Sequence, residues 1–158
     1  TRAGNVLAFD YRERDVSFRK ARLKMQAQLF VWGMLSSPPR LPGLVWSRRL
    51  REQIVAEMAT ADGRLFLATA AGRLRVLDTK TGKELWTVAG LARLYSAPIV
   101  SGDTVIQTAS DGTIYGFAAA TGIEKWRASV QEGVTTSAIL AGDTLYVPTM
   151  AGNLYAIR

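Results

Sequence analysis

The sequence predicts an all-β fold built from repeated sheets of four antiparallel strands, and three observations predict it. Trp46, Trp86 and Trp126 stand 40 residues apart, and so do Gly72, Gly112 and Gly152. Apolar positions keep the same step: Leu65, Val105 and Leu145, then Leu74, Ile114 and Leu154. Each period breaks into four short β-prone stretches separated by Gly- and Asp-bearing turns, the residues that tolerate the positive φ of tight hairpins. Four short strands every 40 or so residues is the arithmetic of β-propeller blades.

The elements follow in chain order. Residues 1–10 hold one strand of a preceding blade, because Gly4-Asn5-Val6-Leu7-Ala8-Phe9 mirrors Gly152-Asn153-Leu154-Tyr155-Ala156-Ile157. Residues 11–43 interrupt the period. Phe18, Ala21, Met25, Leu29 and Trp32 fall at helical spacing there, with Leu23, Ala27, Phe30 and Met34 widening the stripe, so an inserted basic amphipathic helix is expected. Ser36-Ser37-Pro38-Pro39 is expected to end it. Residues 44–158 carry the repeats. A strand at Leu44–Arg48 opens them, and the clearest unit reads Ala97–Val100, Thr104–Ala109, Thr113–Ala118 and Glu124–Ala128. The β-branched and aromatic run Thr144-Leu145-Tyr146-Val147 is typical of such strands. About 13 strands result, an incomplete propeller, since whole ones have about four to eight blades. The chain is therefore expected to be part of a longer propeller or to close against another chain.

Charge is uneven. Residues 1–53 hold eleven Lys or Arg against four acids, while residues 54–158 hold nine of each, so the net +7 belongs to the first segment. There is no Cys and no His, which removes disulfides, thiolate metal sites and the commonest general base. No run reaches the roughly 18 apolar residues of a membrane span. Asp78, Asp103, Asp111 and Asp143 sit at turns, where Asp bonds local backbone, and no calcium-loop or phosphate-loop spacing is present.

The run Val76-Leu77-Asp78-Thr79-Lys80-Thr81-Gly82-Lys83-Glu84-Leu85-Trp86 resembles the tryptophan-docking motif of pyrroloquinoline-quinone (PQQ) type propellers. Thr121, Gly122 and Trp126 repeat it with Ala118 in place of Asp78, and Trp46 keeps only its end. The resemblance implies that these Trp residues are structural, each packing on the neighbouring blade. The ending Gly152 to Arg158 resembles the terminal strand of the BamB outer-membrane assembly lipoproteins. There the last blade takes its outer strand from the N-terminal part of the chain, a role the Trp46 strand could play.

The expected function is a non-catalytic scaffold holding a protein partner, or further propeller blades, in an extracytoplasmic assembly. The resemblance implies the periplasm or outer membrane. Quinoprotein dehydrogenases share the repeat, but their quinone stacks between a Trp and a vicinal disulfide, beside a calcium held by acidic and amide side chains. Here Cys is missing, and Gln53, Gln107, Gln131 and Asn153 form no visible cluster, so no cofactor and no metal are expected. A dehydrogenase fragment, or a ligand-sensing propeller on a membrane protein, is the alternative. Arg19, Lys20, Arg22, Lys24, Phe30 and Trp32 are candidates for a partner or, through 18–35, a membrane surface. Arg48, Arg49 and Arg51 either protect a strand edge or meet an acidic partner. Nucleic acid is not expected, because no binding motif accompanies the basic residues.

Overall fold

The structure, a computed structural model, describes residues 4–10, 17–36 and 43–158, with helix side chains described from residue 21 onward. They form two compact units: Thr1–Asn5 with Arg49–Arg158, and Val6–Arg48.

In the smaller unit, β1 (Asn5–Phe9) pairs with β2 (Leu44–Arg49), and the Asp10 amide donates to the Gly43 carbonyl at 2.8 Å. The Trp46 strand is therefore a partner of β1, not the outer strand of the last blade. The repeat explains this: β1 is a third-strand sequence and β2 the fourth-strand sequence that follows it. The insertion contains α1 (Ser17–Val31). Gly33 donates to the Phe30 carbonyl and Met34 to the Leu29 carbonyl, at 3.0 and 2.8 Å. This bond pair is a Schellman cap, so the helix stops before the Ser-Pro run expected to end it. Its apolar residues do not form one stripe. Met25, Phe30 and Val31 are exposed, Leu23, Ala27 and Leu29 half-buried, and no described helix side chain is buried. Residues 11–16 and 37–42, with the Pro38-Pro39 stop, lie outside the described residues, as do the side chains of Phe18, Arg19 and Lys20.

The larger unit holds three sheets. The first is β3 (Ala59–Ala61), β4 (Arg64–Thr69), β5 (Arg73–Asp78) and β6 (Glu84–Val88), adjacent in that order. The second repeats it as β7 (Ile99–Ser101), β8 (Thr104–Thr108), β9 (Thr113–Ala118) and β10 (Glu124–Ser129). The third has β11 (Ile139–Ala141), β12 (Thr144–Pro148) and β13 (Leu154–Ile157). All pairings are antiparallel, and the register keeps the 40-residue step: Leu65 faces Leu77, Val105 faces Phe117, and Leu145 faces Ile157.

Successive residues of a strand point to opposite faces, so a sheet between two others buries both. Val105 and Phe117 of the second sheet enter a core with Phe66, Ala68, Leu74 and Val76 of the first. Ile106 and Ile114 enter another with Leu145 and Val147 of the third. Burying a side chain such as Phe66 or Ile114 contributes about 2–3 kcal/mol relative to leaving it in water. The sheets are thus held face to face by apolar layers, and no disulfide takes part, since Cys is absent.

Candidate interaction surface

The repeated Trp sits on the outer strand of the first and second sheets, as Trp86 on β6 and Trp126 on β10. In the first sheet, Trp86 pairs across from Val76 and places its ring edge against Phe66, centroids 6.2 Å apart at 68°. Its indole Nε1 donates to the Ala119 carbonyl of the second sheet at 3.1 Å. The turn that supplies this acceptor runs from Ala118 to Ile123, closed by the Gly122 amide on the Ala118 carbonyl at 2.8 Å. Gly122 has φ +75, and a Cβ there would lie 2.6 Å from the Trp86 ring. A glycine is needed both for the backbone and for the approach of the indole. The equivalent turn of the first sheet is tied by Asp78, whose Oδ1 accepts from the Thr81 amide and hydroxyl, both at 2.7 Å. Those bonds, the side-chain one foremost, hold the Asp78 carboxyl below its usual range. The Ala118 turn closes without that Asp, so the carboxylate reinforces a shape that the backbone and glycine already set.

Trp126 has a different outlook. It lies across Gly116, where a Cβ would fall 2.2 Å from its ring, and 39% of it is exposed. A cavity of about 410 Å³ adjoins the indole, lined by Ile106, Ala128, Leu140, Asp143, Leu145, Ile157 and Arg158. The glycines before each third strand show the same contrast. A Cβ on Gly4, Gly72 or Gly112 would strike the backbone of Glu52, Leu91 or Glu132, whereas nothing lies within 4 Å of the one on Gly152.

A polar feature invisible in single motifs joins successive repeats. Glu52 accepts from Arg73 and Arg75, and Arg75 also donates to Glu84. Two periods later, Glu132 accepts from Thr149 at 2.6 Å, Asn153 at 2.9 Å and Tyr155 at 3.0 Å. Burial acts to raise the Glu52 carboxyl, but the bonds from Arg75, Arg73 and Thr69 outweigh it and leave it below the usual range. Glu132 is lowered chiefly by the Thr149 and Asn153 bonds. The signal that could have found this is the 80-residue step shared by Glu52/Glu132, Thr69/Thr149, Arg73/Asn153 and Arg75/Tyr155. Carboxyls lowered in the fold stabilise it fully above their unfolded value of about 4.3, and that contribution is lost as pH falls through the lower folded values. Thermal unfolding followed from pH 7 to pH 3 is therefore expected to show the melting temperature falling steeply below about pH 4. Glu52→Gln should lower it at pH 7 and flatten the acid decline.

The remaining predicted site residues that the structure describes lie on separate elements. Arg48 and Arg49 end β2 exposed, and Arg51 follows, exposed, at φ 59. Arg22 and Lys24 are exposed on α1, Phe30 is 38% exposed near its end, and Trp32 lies just past it at 66%. No described helix is long and apolar enough to cross a membrane. Trp46 is half-buried on β2.

A calcium ion takes six to eight oxygens, usually with several carboxylates among them. Among the described residues no three His, Cys, Asp or Glu side chains converge to hold an ion. Gln107, the one buried amide, directs Nε2 to the Ser96 carbonyl and hydroxyl and the Thr108 carbonyl at 2.9–3.1 Å. Its Oε1 is buried without a partner, and the Ser96 hydroxyl that receives Nε2 also bonds Thr108. These residues do not fit a quinone-calcium site of the quinoprotein kind.

Residues 42–158 match the family described as outer membrane protein assembly factor BamB. The BamB of Shewanella oneidensis is 30% identical over 74 residues, covering 47% of this chain and 19% of that protein. The dehydrogenase subunit of the quinone alcohol dehydrogenase of Gluconobacter oxydans is 28% identical over 123 residues, covering 66% of this chain and 16% of that one. This chain thus spans less than a fifth of either relative's length. The crystal structure of BamB from Moraxella catarrhalis superposes with a TM-score of 0.64 at 23% identity, covering 73% of this chain and 36% of that one. With most of its length matched and its sheets superposing on that fold, the chain belongs to the family of PQQ-type propeller repeats described as outer membrane protein assembly factor BamB.

Proposed function

We propose that the chain is a non-catalytic propeller module that holds a protein partner in an extracytoplasmic envelope assembly. The observation that carries this reading is the state of its carboxylates. Asp78, Asp103, Glu52, Glu124 and Glu132 all have lowered pKa values, each through donors inside the chain. Lys125 and Thr104 hold Asp103, and Arg127 holds Glu124. A general acid needs the opposite, a carboxyl raised toward neutrality. Donors used in this way tie turns and strands together. The family description supports the assembly role, and the periplasmic or outer-membrane setting rests on the same likeness.

A second reading, a fragment of a quinone-dependent dehydrogenase, draws on the likeness to the Gluconobacter oxydans subunit. Equilibration with PQQ and Ca²⁺ followed by gel filtration separates the two. The scaffold reading expects no quinone absorbance with the protein peak and no dye reduction with alcohols. Stoichiometric quinone in that peak, or dye reduction, would replace it with the dehydrogenase reading.

A further inference from the structure

The insertion between β1 and β2 combines an unopposed positive charge with an apolar end that no described residue buries. Residues 16–51 contain eight Lys or Arg and no Asp or Glu. Along α1 the two characters separate by length. Arg19, Lys20, Arg22 and Lys24 lie in its first half, and the run from Leu29 to Leu35 ends it with six apolar residues around Gly33. Val31, Trp32 and Met34 are 80%, 66% and 68% exposed, and Phe30 and Leu35 are exposed as well. A Cβ on Gly33 would meet nothing within 4 Å. Large apolar side chains left contiguous in water mark an interaction site.

We propose that this helix end is a membrane-surface anchor, dipping Phe30, Val31, Trp32 and Met34 into the headgroup boundary of an anionic bilayer while the basic half of α1 stays over the lipid phosphates. Three observations select a lipid surface over a protein groove. First, a helix that docks in a groove presents one stripe, whereas positions at this end advance by about 100° each, so Phe30, Val31 and Trp32 point in different directions. A fluid apolar medium accepts all of them at once. Second, the backbone at the tip is bonded within itself. The Trp32 amide donates to the Gln28 carbonyl, Gly33 to Phe30 and Met34 to Leu29, at 3.0, 3.0 and 2.8 Å. The last carbonyls of the helix therefore carry little penalty in a water-poor layer. Third, the charge matches: an acid-free basic segment is drawn to anionic headgroups, and its long side chains reach back to them as the tip enters. Lys24 and Trp32 line one open recess of about 270 Å³ with Ala27, Gln28 and Val31, which puts an ammonium on the same side as the indole. Lys24 stands about 10 Å along the axis from Val31, so charge and tip reach adjoining depths of the interface. The apolar run is too short to cross, and no described helix spans a membrane. The same charge makes a second copy a poor occupant, since two such segments repel. The anchor goes beyond the interaction-module reading and does not depend on it, because a quinone-loaded chain would keep the same tip.

Flotation of the 158-residue chain with vesicles tests the anchor, using phosphatidylcholine alone or phosphatidylcholine with about 30% phosphatidylglycerol. Binding is expected to the anionic vesicles, at least about tenfold stronger than to the neutral ones and weakened when NaCl rises from about 0.1 M to about 0.5 M. Trp32→Ser with Met34→Ser should weaken it at least about tenfold, and so should Arg22→Glu with Lys24→Glu. All four side chains are exposed, and an unchanged far-ultraviolet circular dichroism spectrum checks that each variant keeps its fold. In the unmodified chain, lipids brominated near the headgroup end of their acyl chains should quench a tryptophan signal that the Trp32→Ser, Met34→Ser protein lacks. No binding to the anionic vesicles, equal binding to both kinds, or unchanged binding by either double variant would overturn the proposal. Failure to bind vesicles together with concentration-dependent dimers that Trp32→Ser abolishes would overturn it in favour of a second copy.

Discussion

Replacing Trp86 with Ala is expected to lower the unfolding free energy of the larger unit by about 3 kcal/mol, and replacing Trp126 by only about 1 kcal/mol. The two residues have the same side chain and stand one period apart on the fourth strands of successive sheets. They differ in what stands beyond them. Trp86 bonds to the Ala119 carbonyl, covers Gly122 and meets Phe66 edge-on. Its removal leaves a void between two sheets, opens part of the core around Phe66 and strands an acceptor, costs that add. Trp126 is 39% exposed and has the cavity on its far side, so its removal forfeits mainly the cover it gives Gly116. Urea unfolding followed by far-ultraviolet circular dichroism measures both. Equal losses would show that the docking contact is not what makes Trp86 costly to remove.

The repeat was legible because it is written in residues whose jobs are local or periodic. Indoles at 46, 86 and 126 and glycines at 72, 112 and 152 fix the blade step, and the step fixes the register of β4, β8 and β12 on their neighbours. Turn chemistry around Asp78 to Gly82 was readable for the same reason, since its bonds span only a few residues. The insertion was harder. Marking every apolar residue near a 3.6 period drew a stripe that α1 does not have, and Gly33 ended the helix before the prolines could. The Glu52 and Glu132 networks also escaped notice. Their partners lie 17 to 23 residues further along the chain, and the middle repeat has Ala92 in that place, which hides the step.

Gly112→Ala is expected to cost about 4 kcal/mol or more, whereas Gly152→Ala one period later should cost about 1 kcal/mol. Both glycines have φ +86, so the strain of forcing an L residue into the left-handed region is common to both and cancels in the comparison. What differs is the neighbour. An added methyl at 112 would sit 2.3 Å from the Glu132 carbonyl oxygen and 3.1 Å from its nitrogen. Those atoms belong to backbone, which cannot rotate away as a side chain can. The chain there is pinned by the Val130 amide on the Gly112 carbonyl at 3.1 Å, and the adjoining Glu132 side chain holds Thr149, Asn153 and Tyr155. Relief of the overlap must therefore shift the link between the second and third sheets. At Gly152 the methyl meets nothing within 4 Å, so only the conformational cost remains. Parallel urea titrations of the two variants test this. If Gly152→Ala proves as costly as Gly112→Ala in the 158-residue chain, the glycine step reflects backbone strain alone.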